Sequence, residues 1–501
     1  MNPTHEQEAF LQKPVRAAII KALAGTGKTT LFRMFAQRYP ELRILYLSYN
    51  RSIVDEANLP GNCLALSSHQ LAYKFVGYRY SSKMSDNLNM GLIKSILKIS
   101  WAEASQTKMA LEKFLYSQEK TICEKHITES PRNRKSKSNK AEIVKLARIV
   151  WKGMCELDGP FPMTHDGYLK GYALADIDLS SYFDVLLVDE GQDTNPAVMT
   201  ILDAQKTMKK YICGDDSQQL YRYRSAQNAL SLVENEKVET FALTKSFRFN
   251  DEVAEFANHF LRHLKVEERL TGTENNVEQS ILNDPQVLDS NLPTAYINRT
   301  ILKTIELAIE HLNEGRSVMW VGGMQNYPFV EVLDVLRLKL GQRNKIKSRD
   351  ILRDYKDFES YQFAAKATGS LDMARILRII KKYDTALFDI YTNLKNSEVK
   401  EISKAMTIVT TCHRSKGLEF PQVVLGNDFK DLKALLRRPE EEIRDELNLM
   451  YVGITRAMKR LVPSDPFIEM SKQTVNVLDQ RASVMNGKKR RGSKRHIQKA
   501  A

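Results

Sequence analysis

At 501 residues the chain is long enough for three or four domains or subdomains with sizeable cores. Its 43% hydrophobic and 27% charged residues, the lack of an apolar stretch of about 18 residues, and an opening MNPTHEQEAF without basic or apolar signal regions predict a soluble, intracellular protein with no membrane partner. The net charge of +14 is concentrated in PRNRKSKSNK (131–140), with five Lys or Arg, and GKKRRGSKRHIQKAA (487–501), with seven and no acid in either, so the body is near neutral and the two segments suit a polyanion or, failing that, solvent.

In chain order, the first signal is AAIIKALAGTGKTTLF (17–32). Ala17 to Ile20 reads as a short buried strand and TTLFRMFAQRY as an amphipathic helix, which puts the glycines in a strand-to-helix turn. Gly25 and Gly27 let the backbone curl with its N–H groups inward, Lys28 offers a cation to β- and γ-phosphates, and Thr29 offers a hydroxyl to Mg2+. Ala24, Gly25, Thr26, Gly27, Lys28, Thr29 and Thr30 therefore form a candidate ATP cradle. Ala22 stands where the usual pattern has its first glycine, and an ordinary turn is the alternative until a second, carboxylate-bearing strand is found.

RILYLSYN reads as the next strand, followed by a helical stretch over about 86–160 rich in Lys, Glu, Leu and Met. YFDVLLVDEGQD supplies the carboxylates: Val185 to Val188 form a strand, Asp189 holds Mg2+ through a water, and Glu190 orients and deprotonates the water that attacks the γ-phosphate. KKYICGDDSQQLY places Gln218 just beyond a third such strand, where an amide senses the γ-phosphate or merely lines a solvated loop. A second amphipathic helical stretch spans about 330–405, and MTIVTTCHRSKG and FPQVVLGNDF are further buried strands. Strands thus cluster before about 245 and mostly after 400, which predicts two α/β cores, each interrupted by a largely helical insertion, with functional residues at the carboxyl ends of parallel strands. The cysteines Cys63, Cys123, Cys155, Cys213 and Cys412 are scattered, without Cys-x-x-Cys spacing, so neither a disulfide framework nor a zinc or iron–sulfur site is expected.

The ordered series ALAGTGKTT, YLSYNRSIVDEA, SSHQLAY, LLVDEGQD, GDDSQQLYRYRSA, LTKSFRFNDEVAEFAN, TTCHRSKGLEFPQVVLGNDF and LNLMYVGITRA resembles the superfamily 1 DNA helicases of the UvrD/Rep type. HDGYLK at 165–170 also resembles the F-box DNA helicase subgroup, although no F-box is evident. The motifs lie between residue 7 and about 461, and the chain departs from the family in Ala22, in Gly191 for alanine and in Ser225 for glycine.

The resemblance implies a P-loop NTPase with two RecA-like parallel-sheet cores and helical insertions. Its first core would take residues 1–80 and 165–245, with a helical insertion at 81–164; its second would take 246–335 and 406–475, with a reduced insertion at 336–405, leaving a basic tail at 476–501. It further implies that Gln7 reads the adenine edge, Phe247 stacks on the base, Glu419 lies near the ribose, and Arg248 and Arg456 reach the γ-phosphate from the second core. Tyr223 and Arg224 would stack on and contact single-stranded DNA, with His69, Thr411 and His413 in the motifs that touch the strand or couple it to ATP; Tyr49 fits a strand contact or a core tyrosine equally. The implied activity is an ATP- and Mg2+-dependent helicase or translocase moving 3′ to 5′ on single-stranded DNA and 3′-tailed duplex, in repair, recombination or replication and alongside proteins of those processes. It would be cytoplasmic in a bacterial or viral source and nuclear in a eukaryotic one. A translocase that strips proteins from single strands is the nearest rival; against a non-catalytic scaffold stand Lys28, Asp189, Glu190, Gln218 and Arg456, all present.

Overall fold

The computed structural model describes residues 2–12, 14–48, 51–127, 140–220, 238–273, 279–401 and 404–481. Tyr49, Tyr223, Arg224, Ser225, residues 131–139 of the first basic segment and the whole of 487–501 lie outside the described residues. Short apolar runs form β1 (Ala17–Ala22), β2 (Ile44–Ser48) and β3 (Cys63–Ser67); β4 (Met84–Ser85) and β5 (Met163–Thr164) pair as a small ribbon bracketing the first insertion. With β6 (Val185–Val188), β7 (Lys209–Gly214) and β8 (Glu239–Leu243), the first three strands make a six-stranded sheet in the order β3-β2-β6-β7-β1-β8, parallel throughout.

A sheet reached only through crossovers is covered on both faces, which is why these strands are apolar on both sides. Ala18, Ile20 and Ala22 of β1 face Phe10 and, on helix Lys28–Arg38, Phe32 and Phe35. Ile19, one residue out of phase, joins Leu47, Leu186, Val188 and Ile212 on the opposite face, in a core continuous with the first insertion. Burial of each of those phenylalanines contributes about 1.5–3 kcal/mol, enough to fix which face of β1 meets the helix.

The second sheet contains β9 (Thr294–Asn298), β10 (Val318–Trp320), β11 (Thr407–Thr411), β12 (Phe420–Leu425) and β13 (Ala457–Val462), in the order β10-β11-β9-β12-β13, again all parallel. The expected pair of parallel α/β cores is therefore present. Between β10 and β11 run helices Phe329–Lys339, Arg349–Asp354, Phe358–Thr368, Leu371–Tyr383 and Leu387–Asn396. The two insertions meet where Trp101, opening helix Trp101–Leu115, stacks on Tyr355 with ring centroids 5.6 Å apart and planes at 6°.

Two expected boundaries shift. Residue 336 falls inside helix Phe329–Lys339, whose Val332, Val335 and Leu336 pack with Ile376 and Ile380 of the insertion, so the helical run starts at Phe329. Residues 476–481 do not open a tail: Val477 and Leu478 are buried against the second core, and the Asn476 amide donates to Arg262 O at 2.8 Å.

Candidate active site

The turn after β1 is shaped by Gly25 and Gly27, whose φ angles of 75° and 82° lie in the left-handed region. At Gly25 a Cβ would run into the Ser246 hydroxyl and Arg248. Gly27 is the N-cap of helix Lys28–Arg38 and brings no capping side chain, so the first helical N–H groups are left for an outside acceptor. Such a cradle fits a polyphosphate. The Lys28 ammonium stands 3.6 Å from Glu190. Burial opposes its charge, but Glu190, Asp215 and Asp189 outweigh that and hold it above its ordinary range.

Asp189 and Glu190 leave the end of β6 in different environments. Asp189 accepts from the Tyr46 hydroxyl at 2.7 Å and from the Thr29 hydroxyl at 2.9 Å, both at Oδ2. Burial, then the neighbouring Glu190 charge, pushes the Asp189 carboxyl up. Glu190 sits at φ 54°, an uncommon conformation for a side-chain-bearing residue, and accepts from the Gln192 amide. Burial disfavours its charge, yet Lys28 and Lys416 hold the carboxyl well below its usual range. Among the described residues no cluster of three His, Cys, Asp or Glu side chains could enclose a metal. The paired oxygens of Thr29 and Asp189 suit Mg2+, a hard cation that keeps waters and takes phosphate oxygens as further ligands.

The second core closes the cleft from above. Arg456, 1% exposed, donates from Nη2 to Gln218 Oε1 at 3.3 Å and from Nε to Val452 O at 3.0 Å. Burial and then the Arg248 charge pull its guanidinium down to about 9, still protonated at neutral pH. Arg248 donates to Glu419 at 2.8 Å and to Thr455 O at 2.8 Å, so the carboxylate expected near a ribose is engaged by an arginine. Phe247 is half exposed, and its ring and the Gln7 amide both border the space a Gly27 Cβ would take, with Gln7 donating to Thr26 O at 3.4 Å. The resulting cleft of about 620 Å3 is lined by Gly25 to Thr30, Glu190, Gln218, Phe247, Arg248, Glu419 and Arg456.

His69, Thr411 and His413 lie outside this cleft. His69 follows β3 and meets Asp166 of HDGYLK at 3.1 Å; Asp166 also accepts from the Tyr116 hydroxyl at 2.7 Å. In the same segment, the buried Lys170 donates to Ser117 O at 2.6 Å and Glu119 O at 2.8 Å, fastening the end of the insertion's long helix to the first core. Thr411 ends β11 in the second core and His413 follows it. Burial, then Arg299, pulls the His413 imidazole down.

Sequence reasoning missed three participants. Tyr46 anchors Asp189. Lys416 of TTCHRSKGLEF crosses between the cores to Asp193 at 2.5 Å and Gln218 O at 2.6 Å. Tyr451 crosses to Asp215 at 3.2 Å. Each lies in a stretch already singled out, yet only the partner identifies its role.

The profile of the UvrD-like helicase C-terminal domain matches residues 83–465. The chain is 28% identical to F-box DNA helicase 1 of Gallus gallus over 502 residues, covering 92% of this chain and 49% of that protein. It is 28% identical to F-box DNA helicase protein 1 of Schizosaccharomyces pombe over 515 residues, covering 93% and 58%. Against ATP-dependent DNA helicase PcrA of Leuconostoc citreum the identity is 23% over 411 residues, covering 57% and 54%. The chain spans about half the length of the curated relatives it matches. Among the described residues no helix is long and apolar enough to cross a membrane.

Proposed function

The chain belongs to the UvrD-like helicase family, and from that premise we propose that it is an ATP- and Mg2+-dependent DNA helicase or translocase moving 3′ to 5′ on single-stranded DNA. The observation that carries this reading is a cleft whose charged lining is divided between two cores. Lys28, Thr29, Asp189, Glu190 and Gln218 come from the first, and Arg248 and Arg456 from the second. Arginines that reach the phosphates only when two cores close make nucleotide binding and closure one event. Mg2+ on Thr29 and Asp189 would supply charge to the phosphate oxygens. A polyphosphate competes with Glu190 for Lys28, which returns Glu190 toward ordinary basicity and frees it to take a proton from water.

We assign the strand path to the ends of β3 and β11, through His69, Thr411 and His413, with Tyr223 as the base-stacking aromatic and Arg224 as the neighbouring strand contact. Single-stranded DNA and 3′-tailed duplex are the proposed nucleic-acid partners, in repair, recombination or replication alongside proteins of those processes. The names of the chicken and fission yeast relatives support the helicase reading. The test is ATP hydrolysis with and without single-stranded DNA, followed by unwinding of 3′-tailed against 5′-tailed duplex. Strand-stimulated hydrolysis and unwinding of the 3′-tailed substrate are expected, both lost in Arg456→Ala. Hydrolysis indifferent to DNA would overturn the reading; stimulation without unwinding, but with displacement of a strand-bound protein, would narrow it to a translocase.

A further inference from the structure

Tyr451 lies near the end of helix Glu440–Ile454 in the second core, and its side chain is fully buried. Packing alone would be satisfied by phenylalanine, because a buried hydroxyl costs stability unless it is bonded. Tyr172 and Tyr361 bury hydroxyls with no hydrogen-bond partner among the described residues. The Tyr451 hydroxyl has two partners, both across the gap between cores. It accepts from the Ala24 N–H, in the phosphate loop, at 3.1 Å and donates to Asp215 Oδ2 at 3.2 Å.

Asp215 passes this contact on. Its Oδ2 also accepts from the Gln218 amide at 2.6 Å, and its Oδ1 accepts from the Ser217 N–H at 3.0 Å. Its own N–H donates to Gln192 Oε1 at 3.0 Å, and Gln192 bonds Glu190 through its amide nitrogen. The other end of the Gln218 amide, Oε1, accepts from Arg456. Gln218 is therefore held at both ends, its nitrogen through Asp215 and Tyr451 and its oxygen by Arg456. Tyr451 and Arg456 are only five residues apart in the second core, so they arrive and leave together.

We propose that Tyr451 is a positioning residue that couples closure of the two cores to the aim of the Gln218 amide and to the shape of the phosphate loop. This rests on the ATP-hydrolysis reading above. With the cores together, the Tyr451 hydroxyl fixes Asp215, Asp215 fixes the face of Gln218, and the same hydroxyl holds the loop at Ala24. With the cores apart, Gln218 loses Arg456 and keeps only an Asp215 that Tyr451 no longer fixes. Closure thus sets the sensor as well as delivering an arginine.

The test is Tyr451→Phe in the full chain, which removes one oxygen and keeps the ring. At saturating single-stranded DNA, kcat for ATP hydrolysis is expected to fall roughly 10- to 100-fold, the effect of a lost bond to a charged group, with a smaller change in KM. In a Gln218→Ala background the same substitution should lower kcat far less than in the wild type, because only its contact with Ala24 is left to act through. Asp215→Asn should show the same lack of additivity, which keeps the test usable if Tyr451→Phe folds poorly. Independent, multiplicative losses, or an unchanged kcat, would overturn the proposal. If the wild-type chain binds fluorescent mant-ADP yet hydrolyses no ATP, the hydrolysis reading fails. The tether is then decided by mant-ADP release, which Tyr451→Phe accelerates if the hydroxyl shapes the loop and leaves unchanged if it does not.

Discussion

Each sheet sends its first strand into a helix through a tight turn, and the two turns are filled in opposite ways. After β1, two left-handed glycines and an uncapped helix leave N–H groups for an outside anion. After β9, Thr300 caps helix Ile301–Asn313 by accepting from the Lys303 N–H at 3.2 Å. The Asp428 carboxylate, from GNDF beyond β12, then accepts from the Arg299 N–H at 2.9 Å, the Thr300 N–H at 2.8 Å and the Thr300 hydroxyl at 2.7 Å. The second turn carries its anion in the chain. Strand-to-helix geometry is common to both; what fits one of them to a phosphate is the donors it leaves unpaired. The second core serves the cleft through cations on other elements, Arg248, Lys416 and Arg456.

The largest effect belongs to the first turn and its carboxylates. Glu190→Gln should retain ATP binding while kcat falls roughly 10²- to 10⁴-fold, the range for removal of a general base. Near-normal turnover would take Glu190 out of the chemistry and leave the first turn a binding site only.

Next comes the cation from the second core. Lys416 is 5% exposed and its partner Asp193 1%, so Lys416→Met strands a buried carboxylate, at a cost of about 3–5 kcal/mol in unfolding free energy. Burial already outweighs Lys416 and pushes the Asp193 carboxyl up to about 6. An acid whose folded pKa is raised loses stability as pH climbs from its unfolded value through its folded one. Without Lys416 the folded value rises further. The deficit of the variant should therefore be larger at pH 8 than at pH 5.5, where the protonated fraction of Asp193 is greater in both proteins. A deficit independent of pH would mean that the lost cation does not act through Asp193.

The contrast between the turns was half visible in the sequence. Gly25, Gly27, Lys28 and Thr29 are contiguous, as are Asp189 and Glu190, and contiguous residues at the end of an apolar run announce their own geometry. Asp428 gave no such sign, because what it fills is a turn more than a hundred residues earlier, after Asn298. Tyr46, Lys416 and Tyr451 were hidden for the same reason: each bonds across the fold to Asp189, Asp193 or Asp215, and no spacing encodes that pairing. The shifted boundaries have a more local cause. Charge sets the basic residues beyond 487 apart, while Val477 and Leu478, the apolar pair that holds 476–481 to the core, lie between the polar Asn476 and Asp479.

Asp428→Ala is the direct attack on the comparison. It leaves the Arg299 and Thr300 N–H groups without their acceptor and should lower unfolding free energy by about 2–3 kcal/mol, read from denaturant midpoints. ATP binding, titrated with a fluorescent analogue, should still saturate at one equivalent per chain, because the turn after β9 has neither the glycines nor the lysine of the first. A second equivalent would show that the carboxylate alone had been keeping a nucleotide out.

The smallest effect separates charge from acceptor geometry at that turn. In Asp428→Asn the amide oxygen can take the place of Oδ2, which receives both the Thr300 N–H and the Thr300 hydroxyl. The amide nitrogen must then face the Arg299 N–H, donor against donor, where Oδ1 had accepted. Two of three bonds survive, and the favourable placement of a negative charge at a helix N-terminus is lost. Together these should cost about 1–2 kcal/mol, clearly less than Asp428→Ala. Should Asn prove as costly as Ala, the charge rather than the acceptors is what this turn requires, and the second core, like the first, would be built around an anion.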